Sequence, residues 1–336
     1  MSQGLRIGIA GAGLMGRWHA HCARQAGASV VAVADPNSDR AQGLAGRYGA
    51  RVFSDVGDML AQADLALLHV CAPSQDHAVI ARAAIDRKVH LFVEKPLAAN
   101  ESETRAILDN ARAAGVHVCP THQYAFQRSV SGVLAARDRA GKIASVSLTF
   151  FSAGATGQGD GAYARIAADI LPHPVSILQR LFSAFDWSRA DWRLQAGRHG
   201  HWEFETCIES MTVRIVLSLI ARPTCASLEI AGTEGFFEAD LFHDYLVWRP
   251  GQTSRRTKIL QPFAHGVSGL WAASGNLVRR AVANEPAYPG LKSLTSQYYG
   301  ACTGRAAAPI SDREIIEVAS IRDRFLAESS SGSAAS

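Results

Sequence analysis

Short apolar runs alternate with amphipathic segments from Leu5 to about Cys119. Five of the runs have strand length: LRIGIAG, SVVAVAD, LALLHVCAP, VHLFVEK and GVHVCP. Between the last two, SETRAILDNARAAG predicts a helix with Asn100 as N-cap, Glu103 three residues later and Gly115 as the stop. Apolar strands that alternate with helices predict a parallel sheet covered on both faces, which is the doubly wound Rossmann architecture.

The pattern changes after about Gln127. The strand candidates become longer and two-faced: SVSLTFFSA, ADWRLQAG, WEFETCIESMTVRIVLSLIA, ASLEIAGTEGFFEADLF and YLVWRP. Alternating charged and apolar residues predict an antiparallel sheet with one solvated face. A helix around Pro174 to Phe182 interrupts the strands, and DREIIEVASIRDRFLAE predicts a final amphipathic helix. We therefore predict a Rossmann domain over residues 1–124, an α+β domain over 125–328 and a disordered tail over 329–336.

Composition narrows the class of protein. A length of 336 residues favours two domains, and a net charge of +4 is too small to indicate nucleic-acid binding. The densest basic cluster, Arg255, Arg256 and Lys258, is predicted to lie in a solvated strand or loop. No membrane span is expected, because no apolar run approaches about 20 residues. No signal peptide is expected either, because the first strand begins by Leu5. Six scattered cysteines without a C-x-x-C pair favour reduced thiols and a cytoplasmic location.

A glycine-rich loop joins the first strand to the first helix. Gly11, Gly13 and Gly16 have the spacing G-x-G-x-x-G, in which the first glycine allows the tight turn and the second lets a pyrophosphate approach. The third lets the helix pack on the strand, and the helix N-terminus supplies N–H groups for the anion. Asp35 ends the second strand, where a carboxylate accepts hydrogen bonds from an adenosine ribose. The predicted dinucleotide contacts in this region are Gly11, Gly13, Leu14, Met15, Gly16 and Asp35.

The acidic residue also predicts which cofactor is preferred. The Asp35 carboxylate repels a 2′-phosphate, so NAD is favoured over NADP. Arg40 softens that preference if its side chain reaches the same position.

A pair of opposite charges ends the fourth apolar run. Glu94 and Lys95 follow LFV directly, and Pro96 stops the strand. Ligands of open parallel sheets bind beyond the carboxyl ends of the strands, so the pair is predicted to face a ligand rather than bulk solvent.

Together these motifs resemble the Gfo/Idh/MocA oxidoreductases, which include glucose–fructose oxidoreductase and inositol dehydrogenase. The similar segments are the glycine loop, Asp35-Pro36, Ala72-Pro73 with His77, Glu94-Lys95-Pro96, ADILPHPVSIL and IAGTEGFFEAD. The resemblance implies a second domain with a large, mostly antiparallel open sheet, assembly as a homodimer or homotetramer through that sheet, and NAD as cofactor. It implies hydride transfer between the nicotinamide and a hydroxyl-bearing carbon of a sugar or polyol.

The same resemblance implies roles for particular residues. Lys95 contacts the reacting oxygen, and Glu94 holds both it and the cofactor. Asp169 and His173 form the acid–base pair, with flanking prolines that start a helix at the histidine. Pro73 and His77 are further cofactor contacts, and the Lys95–Pro96 peptide is cis in many members.

The match is incomplete at one motif. Leu171 and Ser176 stand where many members carry a glycine and an acid that touches sugar substrates. The substitution of Ser176 motivates an alternative substrate class, a non-sugar cyclic compound such as a dihydrodiol or a bilin. A further alternative is a non-catalytic sensor that binds NAD, although such a sensor would not need Lys95 and His173.

Other polar residues complete the predicted site. His122 and Gln123 end the VHVCPTHQ strand at the same edge of the sheet and are predicted to contact substrate, as is Tyr163 after the glycine-rich GATGQGDGAYAR. No metal is predicted: His19 and His21 are two apart on a helix and cannot share a ligand, and nothing adds ligands near His199 and His201. The predicted partner is a small molecule, without nucleic acid or membrane.

Overall fold

The protein divides into two compact units. The structure, a computed structural model, describes residues 4–154, 160–196, 200–251 and 255–332. One unit comprises Met1–Gln123 and Leu291–Ser320, and the other comprises Tyr124–Gly290 and Ile321–Ser336. The chain first passes from one unit to the other after Gln123, one residue before the predicted boundary after residue 124.

The elements of the described residues follow in chain order. The strands are β1 (Arg6–Ala10), β2 (Ser29–Ala34), β3 (Arg51–Phe53), β4 (Leu67–Val70), β5 (His90–Val93), β6 (Val118–Pro120), β7 (Ile143–Phe151), β8 (Arg193–Ala196), β9 (His201–Ile208), β10 (Met211–Ser218), β11 (Cys225–Gly232), β12 (Gly235–Asp240) and β13 (Tyr245–Pro250). The α-helices are α1 (Leu14–Gln25), α2 (Ser38–Ala45), α3 (Val56–Gln62), α4 (His77–Asp86), α5 (Glu101–Ala114), α6 (Arg128–Ala136), α7 (Asp160–Ile170), α8 (Pro172–Leu181), α9 (Arg255–Val282), α10 (Leu291–Cys302) and α11 (Asp312–Gly332).

The first unit is a parallel six-stranded sheet in the order β3-β2-β1-β4-β5-β6, which confirms the predicted Rossmann architecture. Its central strands are buried on both faces: Ile7 and Ile9 of β1 and Leu67 of β4 have no exposed surface. Strand order reverses between β1 and β4, so this topology opens a crevice at their carboxyl ends. Helix α5 has the predicted cap, since Asn100 Oδ1 accepts a hydrogen bond from the Glu103 backbone N–H at 2.9 Å.

The helices near the C-terminus correct the predicted domain limits. Residues 291–320 were assigned to the second domain, but they belong to the first unit, where α10 packs against α1. Tyr298 and Tyr299 of α10 are buried there, and the Tyr298 hydroxyl donates to the carbonyl oxygens of Leu91 and His117. Helix α11 extends to Gly332, so the predicted disordered tail begins within a helix. Residues 333–336 lie outside the described residues.

The second unit contains a seven-stranded sheet in the order β13-β12-β11-β7-β10-β9-β8. All its strand pairs are antiparallel except β7 with β10, which confirms the predicted mostly antiparallel sheet. Helix α8 begins at Pro172, as the flanking prolines predicted. The cluster that begins at Arg255 starts the 28-residue helix α9 rather than a strand or loop. Sparse charges and a Pro262 inside the helix hid its periodicity in the sequence.

Two further expectations concern the burial of the cysteines and the absence of a membrane span. Cys22 and Cys119 are buried, but Cys207 is exposed, so not all thiols act as buried apolar groups; all six are free. Among the described residues, no helix is both long and apolar enough to cross a membrane.

Candidate active site

The loop between β1 and α1 requires two of its glycines by geometry. Gly11 has φ +94°, and a Cβ there would lie 2.6 Å from the Cys71 carbonyl oxygen. A Cβ on Gly16 would lie 1.9 Å from the Gly11 carbonyl oxygen, so only glycine lets α1 approach β1. Gly13 is different, because a Cβ there would meet nothing among the described residues within 4 Å. The backbone at Gly13, which is the N-cap of α1, therefore faces open space.

Asp35 braces this loop from the end of β2. Its Oδ2 accepts a hydrogen bond from the Ala12 backbone N–H at 2.7 Å, and its Oδ1 accepts one from the Asn37 N–H at 2.8 Å. The side chain is 8% exposed. A carboxylate oxygen has more than one lone pair, so both oxygens retain capacity for a ribose hydroxyl.

A pocket of about 870 Å³ opens over the loop. Of the predicted cofactor contacts, Gly11, Gly13, Leu14, Met15, Asp35 and Pro73 line it, together with Arg40, Ser54, Asp55, Asp76 and Val79 among others. Gly16 serves the packing beneath the loop instead. The open backbone at Gly13, the start of α1 and the Asp35 carboxylate fit the pyrophosphate and ribose of a dinucleotide.

Glu94 and Lys95 follow β5 at the same carboxyl edge of the sheet. The Glu94 backbone N–H donates to the Val70 carbonyl oxygen at 2.8 Å, so the pairing of β5 with β4 continues into the turn. Burial alone raises the pKa of Glu94, but the hydrogen bond from His19 and the charge of Lys95 outweigh it and lower that pKa. Glu94 is therefore an ionised carboxylate beside Lys95. The Lys95–Pro96 peptide is cis, in agreement with the prediction.

His77 joins two turns of the site. Its Nδ1 lies 2.7 Å from the Pro96 carbonyl oxygen and its Nε2 lies 2.9 Å from the Ala72 carbonyl oxygen. The side chain is 1% exposed and does not line the pocket. These contacts fix the Lys95–Pro96 turn against the Ala72–Pro73 turn. A direct contact of His77 with cofactor stays a prediction.

His122 and Gln123 follow β6 at this edge and are 3% and 6% exposed. Burial and the nearby charge of Lys95 lower the pKa of His122 to about 4, although Glu94 acts in the opposite direction, so the imidazole is neutral at neutral pH. Neither His122 Nδ1 nor Gln123 Oε1 has a hydrogen-bond partner within the described part of the chain. Buried polar atoms of folded proteins nearly always have partners, and a bound ligand would supply them here.

In the second unit, the predicted acid–base residue His173 packs against two aromatic rings. The ring centroids of His173 and Tyr124 are 4.5 Å apart, and Phe150 stacks on His173 at 6.2 Å. Burial, with smaller effects of Tyr288 and Asp240, raises the pKa of Tyr124 to about 12, so its hydroxyl stays protonated. His173 itself is 8% exposed, at the start of α8.

The residues around His173 have other contacts. The Asp169 Oδ1 lies 3.3 Å from a guanidinium nitrogen of Arg322. Ser176 is buried, and its hydroxyl donates to the His173 carbonyl oxygen at 2.9 Å. Tyr163, predicted to contact substrate, lies in α7 with its ring against Gly200. Residues 155–159 of the preceding glycine-rich loop lie outside the described residues.

Two residues, one in each unit, were not recognised from sequence. His19 was set aside with His21, but it is fully buried and its Nε2 lies 2.9 Å from Glu94 Oε1. Its position three residues after Gly16 was a usable signal, because residues i and i+3 share a helix face and Gly16 faces the sheet. Tyr124 had no signal beyond its place after Gln123.

Within the described ranges, no group of three His, Cys, Asp or Glu residues is arranged to bind a metal, and metal independence stays a prediction.

The fold, the glycine loop and the pocket define the first unit as a dinucleotide-binding Rossmann domain. Residues 5–122 match the family described as "Oxidoreductase family, NAD-binding Rossmann fold". This match over the N-terminal domain agrees with the resemblance of its motifs to the Gfo/Idh/MocA oxidoreductases.

Known proteins support the same relationship. The chain is 31% identical over 142 residues to 4-carboxy-2-hydroxymuconate-6-semialdehyde dehydrogenase of Sphingobium sp., covering 39% of this chain and 45% of that protein. It is 36% identical over 114 residues to inositol 2-dehydrogenase 4 of Saccharopolyspora erythraea, covering 33% and 34%. The match thus spans less than half the length of these curated relatives.

The similarity in fold extends over both domains. The crystal structure of the WlbA dehydrogenase from Bordetella pertussis, in complex with NADH and UDP-GlcNAcA, superimposes with a TM-score of 0.74 at 18% identity. The match covers 99% of this chain and 97% of that one.

Proposed function

We propose that this protein is an NAD(H)-dependent oxidoreductase that transfers hydride between the nicotinamide and a hydroxyl-bearing carbon of a sugar, cyclic polyol or related compound. One observation carries the proposal. Lys95 and ionised Glu94 end β5 at the carboxyl edge that holds the glycine loop, beside His122 with its unpartnered Nδ1. The family of the first domain and the dehydrogenase names of the relatives support it.

The roles proposed for the first unit follow from charge. Bound NAD supplies the two-electron acceptor or donor, held by the glycine loop and Asp35. The Lys95 ammonium stabilises the negative charge that develops on the substrate oxygen. Glu94 holds Lys95 in place by charge, and neutral His122 offers a hydrogen bond to substrate without adding a second positive charge.

In the second unit, we propose that His173 moves the substrate proton. An imidazole titrates near neutrality and suits that task, and packing against Tyr124 and Phe150 holds its ring in one orientation. Asp169 supports the charged imidazolium in this proposal. Tyr163 and Gln123 are proposed substrate contacts.

The experiment is NADH formation from a panel of inositols, UDP-sugars, anhydrosugars and carboxylated semialdehydes. Lys95→Ala and His173→Ala are each expected to lower kcat by roughly 10²-fold or more with NAD affinity nearly unchanged. Asp169→Asn is expected to slow turnover while the fold persists. Lys142→Ala, which removes an exposed lysine of the second unit, serves as the control and is expected to keep the wild-type rate. Wild-type turnover in Lys95→Ala would disprove the mechanism.

Ser176 favours a second candidate substrate, a non-sugar cyclic compound or an aldehyde derived from one. Its hydroxyl is used within α8, so the position presents no charge to a sugar hydroxyl. The name of the Sphingobium relative, a semialdehyde dehydrogenase, points to the same class. Turnover of the semialdehydes alone would favour this candidate. Tight NAD binding without any turnover would instead favour a sensor.

We also propose that the chain assembles with copies of itself. The sheet of the second unit was the predicted interface, but none of the large apolar side chains exposed among the described residues lies on its strands. Nine of them lie on α9: Ile259, Leu260, Phe263, Val267, Leu270, Trp271, Leu277, Val278 and Val282. Leu260, Phe263, Val267, Leu270 and Leu277 repeat at intervals of three, four, three and seven residues, the heptad spacing of a helix pair. A second α9 matches such a seam in length and spacing, as a twofold axis requires.

A further inference from the structure

Four titratable side chains of the first unit form one buried hydrogen-bonded chain. His19 Nε2 lies 2.9 Å from Glu94 Oε1, and His19 Nδ1 lies 2.9 Å from His69 Nδ1. His69 Nε2 lies 2.7 Å from the Tyr299 hydroxyl. His19 and His69 have no exposed surface, and Tyr299 is 4% exposed. Phe92 packs against both imidazoles.

The two residues that end this chain, Glu94 and Tyr299, lie toward opposite edges of the parallel sheet. Glu94 follows β5 at the carboxyl edge, beside Lys95. Tyr299 lines a surface pocket of about 320 Å³ together with Gly4 and Leu5, which precede β1, and residues 26–28, which precede β2. This pocket is therefore at the amino edge. The hydrogen-bonded chain therefore links the candidate site to a residue, 4% exposed, that lines this pocket.

When both imidazoles are neutral, hydrogen-bond chemistry sets the direction of every link. A carboxylate only accepts, so His19 Nε2–H donates to Glu94. With both imidazoles neutral, His19 Nδ1 is then an acceptor, so His69 Nδ1–H donates to it. His69 Nε2 accepts in turn, and the Tyr299 O–H donates. One arrangement satisfies all four groups, and each of its donors points toward Glu94.

The ionisation states agree with this arrangement. Burial, reinforced by the neighbouring His19, holds the pKa of His69 well below its usual value, so His69 is neutral. Burial holds the pKa of Tyr299 well above its usual value, with smaller effects of Cys302 and Cys22 in the same direction, so its hydroxyl stays protonated. The pKa of Glu94 is lowered, so this side chain is a carboxylate.

We propose that Tyr299, His69 and His19 are a proton relay between solvent at the amino edge of the sheet and Glu94 at the carboxyl edge. The role of Glu94 in this relay rests on the proposed function. In delivery, His19 Nε2–H passes its proton to Glu94, while His19 Nδ1 takes the proton of His69 Nδ1. His69 Nε2 takes the Tyr299 proton, and Tyr299 takes one from water. Each imidazole changes tautomer, and one proton crosses. The reverse sequence returns one proton to water.

The relay makes the Tyr299 hydroxyl the route by which the imidazole protons exchange with solvent. We would assign the tautomers and measure exchange of the His19 and His69 N–H protons by NMR, in the full-length protein without NAD. The expected tautomers are Nε2–H for His19 and Nδ1–H for His69. Tyr299→Phe is expected to slow exchange of both protons by on the order of 10-fold, since only the relaying oxygen is removed.

Tyr298→Phe is the matched control. Its hydroxyl is equally buried on α10 but donates to the Leu91 and His117 carbonyl oxygens, outside the chain, so wild-type exchange is expected. His69→Gln is a second variant, in which exchange of His19 Nε2–H is also expected to slow. A structural hydrogen bond would behave in the opposite way, because its loss loosens the packing and speeds exchange.

Unchanged or faster exchange in Tyr299→Phe, or the opposite tautomers, would overturn the relay. These readouts need no substrate, so failure of the substrate panel would reject the proposed function without affecting them.

Discussion

His122 is expected to make the protein less stable as the pH falls below neutrality. Burial and Lys95 lower the pKa of folded His122 to about 4, whereas an unfolded histidine has a pKa of about 6.5. Between these values the unfolded chain binds a proton that the folded site excludes. Protons therefore favour unfolding, and the free energy of unfolding decreases as the pH is lowered through this window.

The size of the effect follows from the two pKa values. The unfolded state gains about 2 kcal/mol relative to the folded state on going from about pH 7 to about pH 5, and about 3 kcal/mol by about pH 4. The folded structure thus loses a sizeable part of a typical domain stability of about 5–15 kcal/mol from this one imidazole.

The assay is urea unfolding of the wild type and of His122→Gln at a series of pH values. Glutamine has no titrating group, so the difference between the two pH profiles isolates His122 from other buried histidines. His117→Gln removes an exposed imidazole of the same unit. This variant is expected to show the same decrease in the free energy of unfolding at low pH as the wild type. If His122→Gln shows the same pH profile as the wild type, or if NMR titration gives His122 an ordinary pKa, the argument from burial and Lys95 is wrong.

Two further predictions concern the cofactor and the assembly. NAD is expected to bind at least about tenfold more tightly than NADP, a difference of about 1.4 kcal/mol, because the Asp35 carboxylate opposes the 2′-phosphate. Asp35→Ser should narrow the gap, and equal dissociation constants for the wild type would contradict the assignment. The protein is expected to be a dimer or larger by light scattering at micromolar concentration, and Leu270→Glu on α9 should shift it toward monomer. Arg214→Glu changes the exposed face of the sheet and so tests the sheet against α9 as the interface. If Arg214→Glu abolishes assembly and Leu270→Glu does not, the sheet is the interface.

Local sequence pattern determined much of this protein. Alternation of apolar runs with helical segments predicted the Rossmann sheet, because strands buried on both faces must be apolar throughout. The glycine spacing predicted the loop, because Gly11 and Gly16 occupy positions where a Cβ would overlap the backbone. The sequence also indicated the Glu94–Lys95 pair. The parallel strands all direct their carboxyl ends to one edge of the sheet, and ligands bind at that edge.

Tertiary packing decided what lies between residues distant in the chain. His19 and His69 are 50 positions apart, and Tyr299 is 230 positions beyond His69. Periodicity reports which face of an element is buried, but it does not report which other element covers that face. The sequence alone therefore determined the dinucleotide loop and the strand-end charges. Only the packing of α10 against α1, which brings Tyr299 to His69, decided that Glu94 connects through buried side chains to α10.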